Sequence, residues 1–261
     1  MKSEVLSKNK IKYLHSLQQK KYRTLHKAYL IEGDKLVKEA VFQPHQQILC
    51  LIATEKWLQD TNVYRQKNID ELIVVKEHEL TRVSNFVTPG QALAVLPVTE
   101  NVPDKNKIEN DLSLVLDTVQ DPGNLGTILR IADWFGIRHV FCSNDCVDCY
   151  NSKVVQASMG SILRTNIFYD RLENVFETYH PDNHFIRYGT FLEGENIYNE
   201  PLGKKGFIVM GNESKGISEY LWKYIDIKLH IPGYASGIIK SESLNVSIAA
   251  AIVCSEFKRR G

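Results

Sequence analysis

The chain has 261 residues, room for two domains each with its own core. Hydrophobic residues make up 43% and charged residues 24%, a balance that excludes a disordered chain, and no apolar run approaches the roughly 18 residues of a membrane helix. The net charge of +1 hides an asymmetry: residues 1–30 hold eight Lys/Arg against Glu4 alone, as a segment touching a polyanion would, or as a solvated helix face would.

In chain order, Ile11, Leu14 and Leu17 recur at helical spacing among lysines, which predicts an amphipathic helix with a basic outer face. Residues 1–10 lack the apolar core of a signal peptide, so a soluble cytoplasmic protein is expected, with no membrane partner. A short apolar run ends at Glu32-Gly33, and Asp34 is expected to cap a helix over 35–42. Residues 47–53, 72–75 and 91–98 read as strands. This alternation predicts a small α/β domain over 1–98. Residues 99–111 are polar and read as a linker.

The second half, 112–261, alternates more clearly. Strands are expected at 114–116, 139–142, 185–188, 207–210 and 226–231, and helices at 124–135, 152–159 and 243–257, the last with Ser241 or Ser243 as cap. That last helix is apolar nearly all round, as a helix buried on several sides is. Repeated βα units imply a parallel sheet covered on both faces.

Three segments carry Gly, Asn, Ser or charge just after a strand, where open α/β sheets bind ligands. In the first, 116–130, a Pro122-Gly123 turn opens a helix near Asn124. Arg130 follows about 9 Å along the axis and within about 120° around it. The pair reads equally as a phosphate grip and as a helix cap plus a surface Arg. In the second, 209–217, a strand runs into Gly211-Asn212-Glu213, where the missing Cβ lets backbone approach a ligand; a plain strand-to-helix turn is the alternative. In the third, Ile231-Pro232-Gly233 leads to Ser243-Leu244-Asn245 at a helix start, where free amides favour anions; Ser243 is most simply a cap.

Together these residues carry a resemblance. Asp121-Pro122-x-Asn124-Leu125-Gly126-Thr127-Ile128-x-Arg130-x-Ala132 resembles motif one of the SpoU/TrmH family of RNA ribose methyltransferases. Met210-Gly211-Asn212-Glu213-x-x-Gly216-Ile217 resembles motif two. Ile231-Pro232 with Ser243-Leu244-Asn245-Val246-Ser247 resembles motif three, and Lys153–Ser161 is similar to the family's helix before a Ser-x-Gly turn. The motifs follow in order across 112–258. The N-terminal half, through Ile31-Glu32-Gly33-x-x-Leu36-Val37-x-Glu39-Ala40, looks like the family's substrate-binding domain, itself similar to a ribosomal protein that binds kinked RNA.

The resemblance implies an α/β fold with a parallel sheet and a deep trefoil knot, a homodimer, and S-adenosylmethionine as donor of a methyl to a ribose 2′-hydroxyl. Asn124, Arg130, Glu213, Ser243 and Asn245 then form the catalytic set, with Arg130 orienting the hydroxyl or its phosphate. Thr190, Met210, Gly211, Asn212, Ile231, Pro232 and Leu244 line the donor site. Lys20, Lys21, Arg23 and Arg130 bind RNA, and no metal takes part. The expected target is structured RNA, 23S rRNA and a guanosine first, with transfer RNA as the alternative. A catalytically inactive RNA-binding or ribosome-assembly protein on the same fold is the reading from another class. The Gly233–Glu242 stretch is longer than the family pattern, which touches the donor contacts.

Other chemistries fit less well. Cys142-x3-Cys146-x2-Cys149 has the spacing of an iron–sulfur motif of radical S-adenosylmethionine enzymes, but its surroundings match a different methyl-transfer family. The odd count of five cysteines argues against a disulfide framework. The Gly-x-Gly-x-x-Gly of dinucleotide folds and the phosphate loop of nucleotide triphosphatases are both missing.

Overall fold

A computed structural model describes residues 6–63, 66–179, 185–234 and 243–260. The chain forms two compact units: 1–100 with 150–163, and 101–149 with 164–261.

The first unit opens with a helical hairpin. Helix α1 (Lys8–Ser16) is capped by Ser7, whose hydroxyl accepts from the Lys10 amide at 3.1 Å. Leu14 on this helix and Leu17 at its end are buried. Helix α2 (Lys20–His26) follows and ends at Lys27 in the left-handed region, φ 46°. Arg23 is buried, and its guanidinium donates to the carbonyls of Leu17 and Gln18 at 2.9 and 2.8 Å. It satisfies carbonyls left open where α1 ends. Arg23 is therefore a corner brace, which corrects its assignment to the RNA surface; Lys20 and Lys21 are exposed as expected.

Strand β1 (Ala28–Glu32) leads through Gly33, φ 103°, into α3 (Asp34–Phe42). Asp34 begins the helix instead of capping it, and its carboxylate accepts from the Gln91 amide at 2.6 Å. Next come β2 (Cys50–Thr54), α4 (Glu55–Thr61), β3 (Leu72–Val75), α5 (Glu77–Leu80) and β4 (Ala92–Pro97). The sheet order is β1-β4-β2-β3, with β4 antiparallel to both neighbours and β2–β3 parallel.

Residues 150–163 complete this unit, although the sequence reading placed them with the second half. Helix α8 (Ser152–Ser158) packs on β1, Tyr150 lies against Tyr29 with ring centroids 4.5 Å apart, and the Gln43 amide donates to the Leu163 carbonyl at 2.9 Å.

In the second unit the expected linker holds a short helix, α6 (Lys105–Asn110), capped by Asp104 and anchored by the buried Ile108. Strand β5 (Leu112–Leu116), helix α7 (Pro122–Trp134) and strand β6 (His139–Ser143) follow. Strand β7 (Asn166–Asp170) and helix α9 (Leu172–Thr178) were not expected from periodicity. Strands β8 (Ile186–Asn196), β9 (Gly206–Met210) and β10 (Ile227–His230) and helix α10 (Val246–Arg260) complete the unit. The six strands are parallel, in the order β10-β8-β9-β5-β6-β7. Every residue of β5, β6 and β9 is buried, as a sheet covered on both faces demands. Phe207 sits among Phe141, Phe176, Tyr179 and Phe185, with centroids 4.9 Å from Phe185.

Strand β8 is more than twice its expected length because its pairing with β10 resumes after a break. Gly189 pairs Lys228 but Glu195 pairs Leu229, so residues 190–194 bulge from the ladder. Among the described residues no helix is long and apolar enough to cross a membrane.

Candidate active site

The order of chain traversal reverses at β5: β6 and β7 lie to one side, β9, β8 and β10 to the other. Ligands of open parallel sheets bind outside the carboxyl ends of the strands at such a switch. The three polar segments leave the carboxyl ends of β5, β9 and β10, and Leu116 and Met210 are register partners.

The first segment turns sharply. Asp117 is fully buried; its amide donates to the Met210 carbonyl at 2.9 Å and one carboxylate oxygen accepts from the Ser218 amide at 2.8 Å. Thr118 then adopts φ 53°, which a β-branched residue tolerates poorly. Its amide donates to the Ser143 hydroxyl at 2.9 Å and its carbonyl accepts from the Asn212 side chain at 2.8 Å. Helix α7 is capped by Asp121, whose carboxylate accepts from the Asn124 amide at 2.8 Å. Asn124 is therefore not the cap, and its side chain is free for other work.

That work joins the three loops. The Asn124 amide group donates to Glu213 at 2.8 Å, and the Asn124 carbonyl oxygen accepts from the Asn245 amide group at 2.9 Å. The other Glu213 oxygen accepts from Asn212 at 3.3 Å. Asn212 in turn folds its own loop, accepting from the amides of Ser214 and Lys215 at 3.0 and 3.2 Å. Positions 124, 212, 213 and 245 thus form one continuous hydrogen-bonded chain.

Gly211 serves this loop differently from the sequence expectation. A Cβ there would overlap the Gly216 carbonyl group and the Ile217 amide, so the missing side chain admits the chain's own backbone. Asn212 and Gly216 exchange both backbone hydrogen bonds across that narrow loop, at 2.9 and 3.0 Å, and Gly216 takes φ 69°.

The third segment is capped by Asn245, whose oxygen accepts from the Ser247 and Ile248 amides at 2.9 and 3.3 Å. That corrects Ser243 as the cap; it is exposed two positions earlier, and Ser241 lies outside the described residues. Thr190, at the carboxyl end of the regular part of β8, donates to the Val209 carbonyl at 3.1 Å and to the Met210 sulfur at 3.6 Å. Ile231 and Pro232 directly follow β10 and are half-buried, and Leu244 is 47% exposed.

Arg130 stands apart from this network. It is exposed on α7 and makes no hydrogen bond or ion pair with any described residue. One turn further, Trp134 is 83% exposed, and on α10, which packs on α7, Ile248 is 52% exposed.

Two features escaped the sequence. Asp117 reads there as a strand-end residue, and only its 101-residue reach to Ser218 reveals it as the clasp between the first two loops. Cys146 looks like part of a ligand set, yet its thiol donates to the Leu116 carbonyl and accepts from the Val119 amide, both at 3.3 Å. A hydrogen bond with Cys142 holds the Cys146 thiol below its usual range and pushes Cys142 above it. All five cysteines are buried and none forms a disulfide among the described residues.

Comparison with known proteins agrees with this arrangement. The family described as SpoU rRNA Methylase matches residues 111–255, and the MRM3-like substrate binding domain matches residues 8–94. A Bacillus subtilis protein named 23S rRNA (guanosine(2553)-2′-O)-methyltransferase RlmP is 30% identical over 97% of this chain and 98% of its own. A solved Porphyromonas gingivalis protein assigned to the TrmH family of RNA methyltransferases superposes with a TM-score of 0.86 at 38% identity, covering 99% of this chain and 100% of its own. An AdoMet-bound rRNA methyltransferase from Sinorhizobium meliloti superposes with a TM-score of 0.81 at 25% identity, over 99% of this chain and 97% of its own. With three polar segments drawn to one edge of the sheet and the family match running over more than half of the chain, the chain belongs to the SpoU rRNA methylase family of RNA methyltransferases.

Proposed function

We infer that this protein transfers a methyl group from S-adenosylmethionine to a ribose 2′-hydroxyl of structured RNA, with a guanosine of 23S rRNA as its target. The observation that carries this reading is the chain Asn245–Asn124–Glu213–Asn212, which gathers three loops distant in sequence at the sheet's switch point. The Bacillus relative, matched almost end to end, supports both the 2′-oxygen and the guanosine.

The residues present fit a cationic nucleoside donor. Ile231, Pro232 and the exposed Leu244 offer apolar surface, and Met210 and Thr190 lie at adjacent strand ends. When bound, the donor supplies an activated methyl group on a sulfonium. The protein's own share is alignment, which can account for most of the barrier lowering in an in-line transfer. Asn124 and Glu213 hold the loops in register. Arg130, exposed and without a partner among the described residues, would grip the target's phosphate or hydroxyl. A guanidinium with a pKa above about 12 orients and stabilises charge and does not take the proton. Ser243 and Asn245 close the pocket at the start of α10.

The reading includes a homodimer. Trp134 and Ile248 leave an apolar face beside Arg130, and a second copy seated there would complete the site. It also includes the trefoil knot implied by the family resemblance and work in the cytoplasm, where ribosomal RNA is found.

The test is calorimetric titration with S-adenosylmethionine, followed by mapping of 2′-O-methyl groups in ribosomal RNA from cells lacking the protein. The expected result is donor binding and the loss of one guanosine methyl. Absence of donor binding would favour the non-catalytic reading, and a methyl lost from transfer RNA would move the target.

A further inference from the structure

The helical hairpin of the first unit has a surface that the methyl-transfer chemistry does not use. Residues 6–27 contain seven Lys/Arg and no Asp or Glu. Arg23 is consumed in the corner, Lys10 pairs with Glu71 and Lys27 with Glu100. Lys8, Lys12, Lys20 and Lys21 make no ion pair with any described residue. Three aromatic rings are interleaved with these lysines. The His26 ring stands edge-on to Tyr13, centroids 5.1 Å apart and planes at 82°. It lies nearly parallel to Tyr22, one helical turn away, at 6.4 Å and 16°. Tyr13 rests on the unit's apolar core, whereas His26 is exposed and Tyr22 half-buried. The Lys21 ammonium lies 5.9 Å from the Tyr22 ring centre, and Leu25 beside them is 68% exposed.

A surface of lysines alone reads phosphate, and a surface of rings alone reads an apolar partner. Rings interleaved with uncompensated lysines suit an unpaired nucleotide, whose base stacks on a π-face while its phosphates meet the charges. Bases in a duplex are already stacked and offer no such face. We propose that Tyr22 and His26, backed by Tyr13, form a stacking platform for an unpaired base of the RNA substrate, with Lys20 and Lys21 neutralising its flanking phosphates. This rests on the RNA methyltransferase reading and adds a recognition site to it, away from the chemistry. It predicts a substrate whose bound region includes a loop, bulge or splayed end.

The test is fluorescence anisotropy on the full-length protein with a labelled single-stranded RNA oligonucleotide and with the same sequence as a blunt duplex, over a series of salt concentrations. Tyr22→Ala and His26→Ala should each weaken binding of the single strand about tenfold, without changing the salt slope. Tyr22→Phe should restore wild-type affinity, which separates stacking from misfolding. Lys20→Gln and Lys21→Gln should each reduce the slope of log affinity against log salt by about 0.7. Unchanged single-strand affinity in both alanine variants, or an equal loss for the duplex, overturns the platform. If the wild type binds donor and RNA yet ignores these substitutions, only the platform fails. If it binds neither, the methyltransferase reading fails and takes the platform with it.

Discussion

Arg130 and Asn124 lie on one helix yet do different work. Asn124 spends its side chain on Glu213 and Asn245, whereas Arg130 has no partner among the described residues. Arg130→Ala should therefore lower methyl transfer about a hundredfold, the scale for losing one preorganised charge, while thermal unfolding stays unchanged. Asn124→Ala should lower both activity and melting temperature, because one Glu213 oxygen and the Asn245 amide group each lose a hydrogen bond, at a cost of about 1–2 kcal/mol together. If the two variants showed the same stability loss, this division would be wrong. Gly211→Ala is a sharper case: its Cβ would overlap the Gly216 backbone, so the loop must open. The expected result is a stability loss of about 1–3 kcal/mol together with loss of donor binding by calorimetry. At this scale the sequence was readable where a residue type states its own chemistry. It was unreadable where a partner far along the chain decides. Arg23 counted as a surface charge until Leu17 and Gln18 claimed it, and nothing near Asp117 announces Ser218.

Among the elements, helix α10 shows how a cap and a tail fix a loop. Asn245 holds its first turn, and at its other end Glu256 receives Arg259 and Arg260, while Arg260 also donates to the carbonyls of Glu200 and Tyr198. Arg259 first, then Arg260, draw the Glu256 carboxyl down to about 2, against a usual value of 4.5. A carboxyl lowered in the folded state stabilises above its unfolded value, and that contribution disappears as the pH falls through the folded value. Glu256→Gln should thus melt below wild type at neutral pH, with the gap closing between about pH 4.5 and pH 2. A gap independent of pH would assign the helix end to packing alone. The strands of the second unit were largely visible as short apolar runs, because parallel strands bury both faces. Strand β8 was seen only to Tyr188, since the 190–194 bulge interrupts the ladder and its later residues are mostly exposed. Strand β7 and helix α9 were missed for a related reason: β7 alternates only partly and α9 has seven residues, too few for a clear period.

For the whole molecule, the apolar face on α7 and α10 sets an expectation about assembly. The wild type should sediment at twice its 29.9 kDa mass, and Trp134→Glu should give a folded monomer with little methyl transfer. A wild-type monomer with full activity would remove the second copy from the site. The expectation of two parts rests on the length of the chain and the polar stretch 99–111. The return of residues 150–163 to the first unit was not legible, because helix α8 carries the family's second-half motif and only its packing on β1 reveals its allegiance.

That return bears on how the protein is made. As the chain leaves the ribosome, the first hundred residues emerge without the helix that rests on β1 and without Tyr150 against Tyr29. They must wait through some fifty residues of the next unit before their last piece arrives. A truncated gene ending at Glu100 would therefore yield an unfinished body with β1 uncovered, and an excised fragment intended to bind RNA by itself would need α8 grafted back.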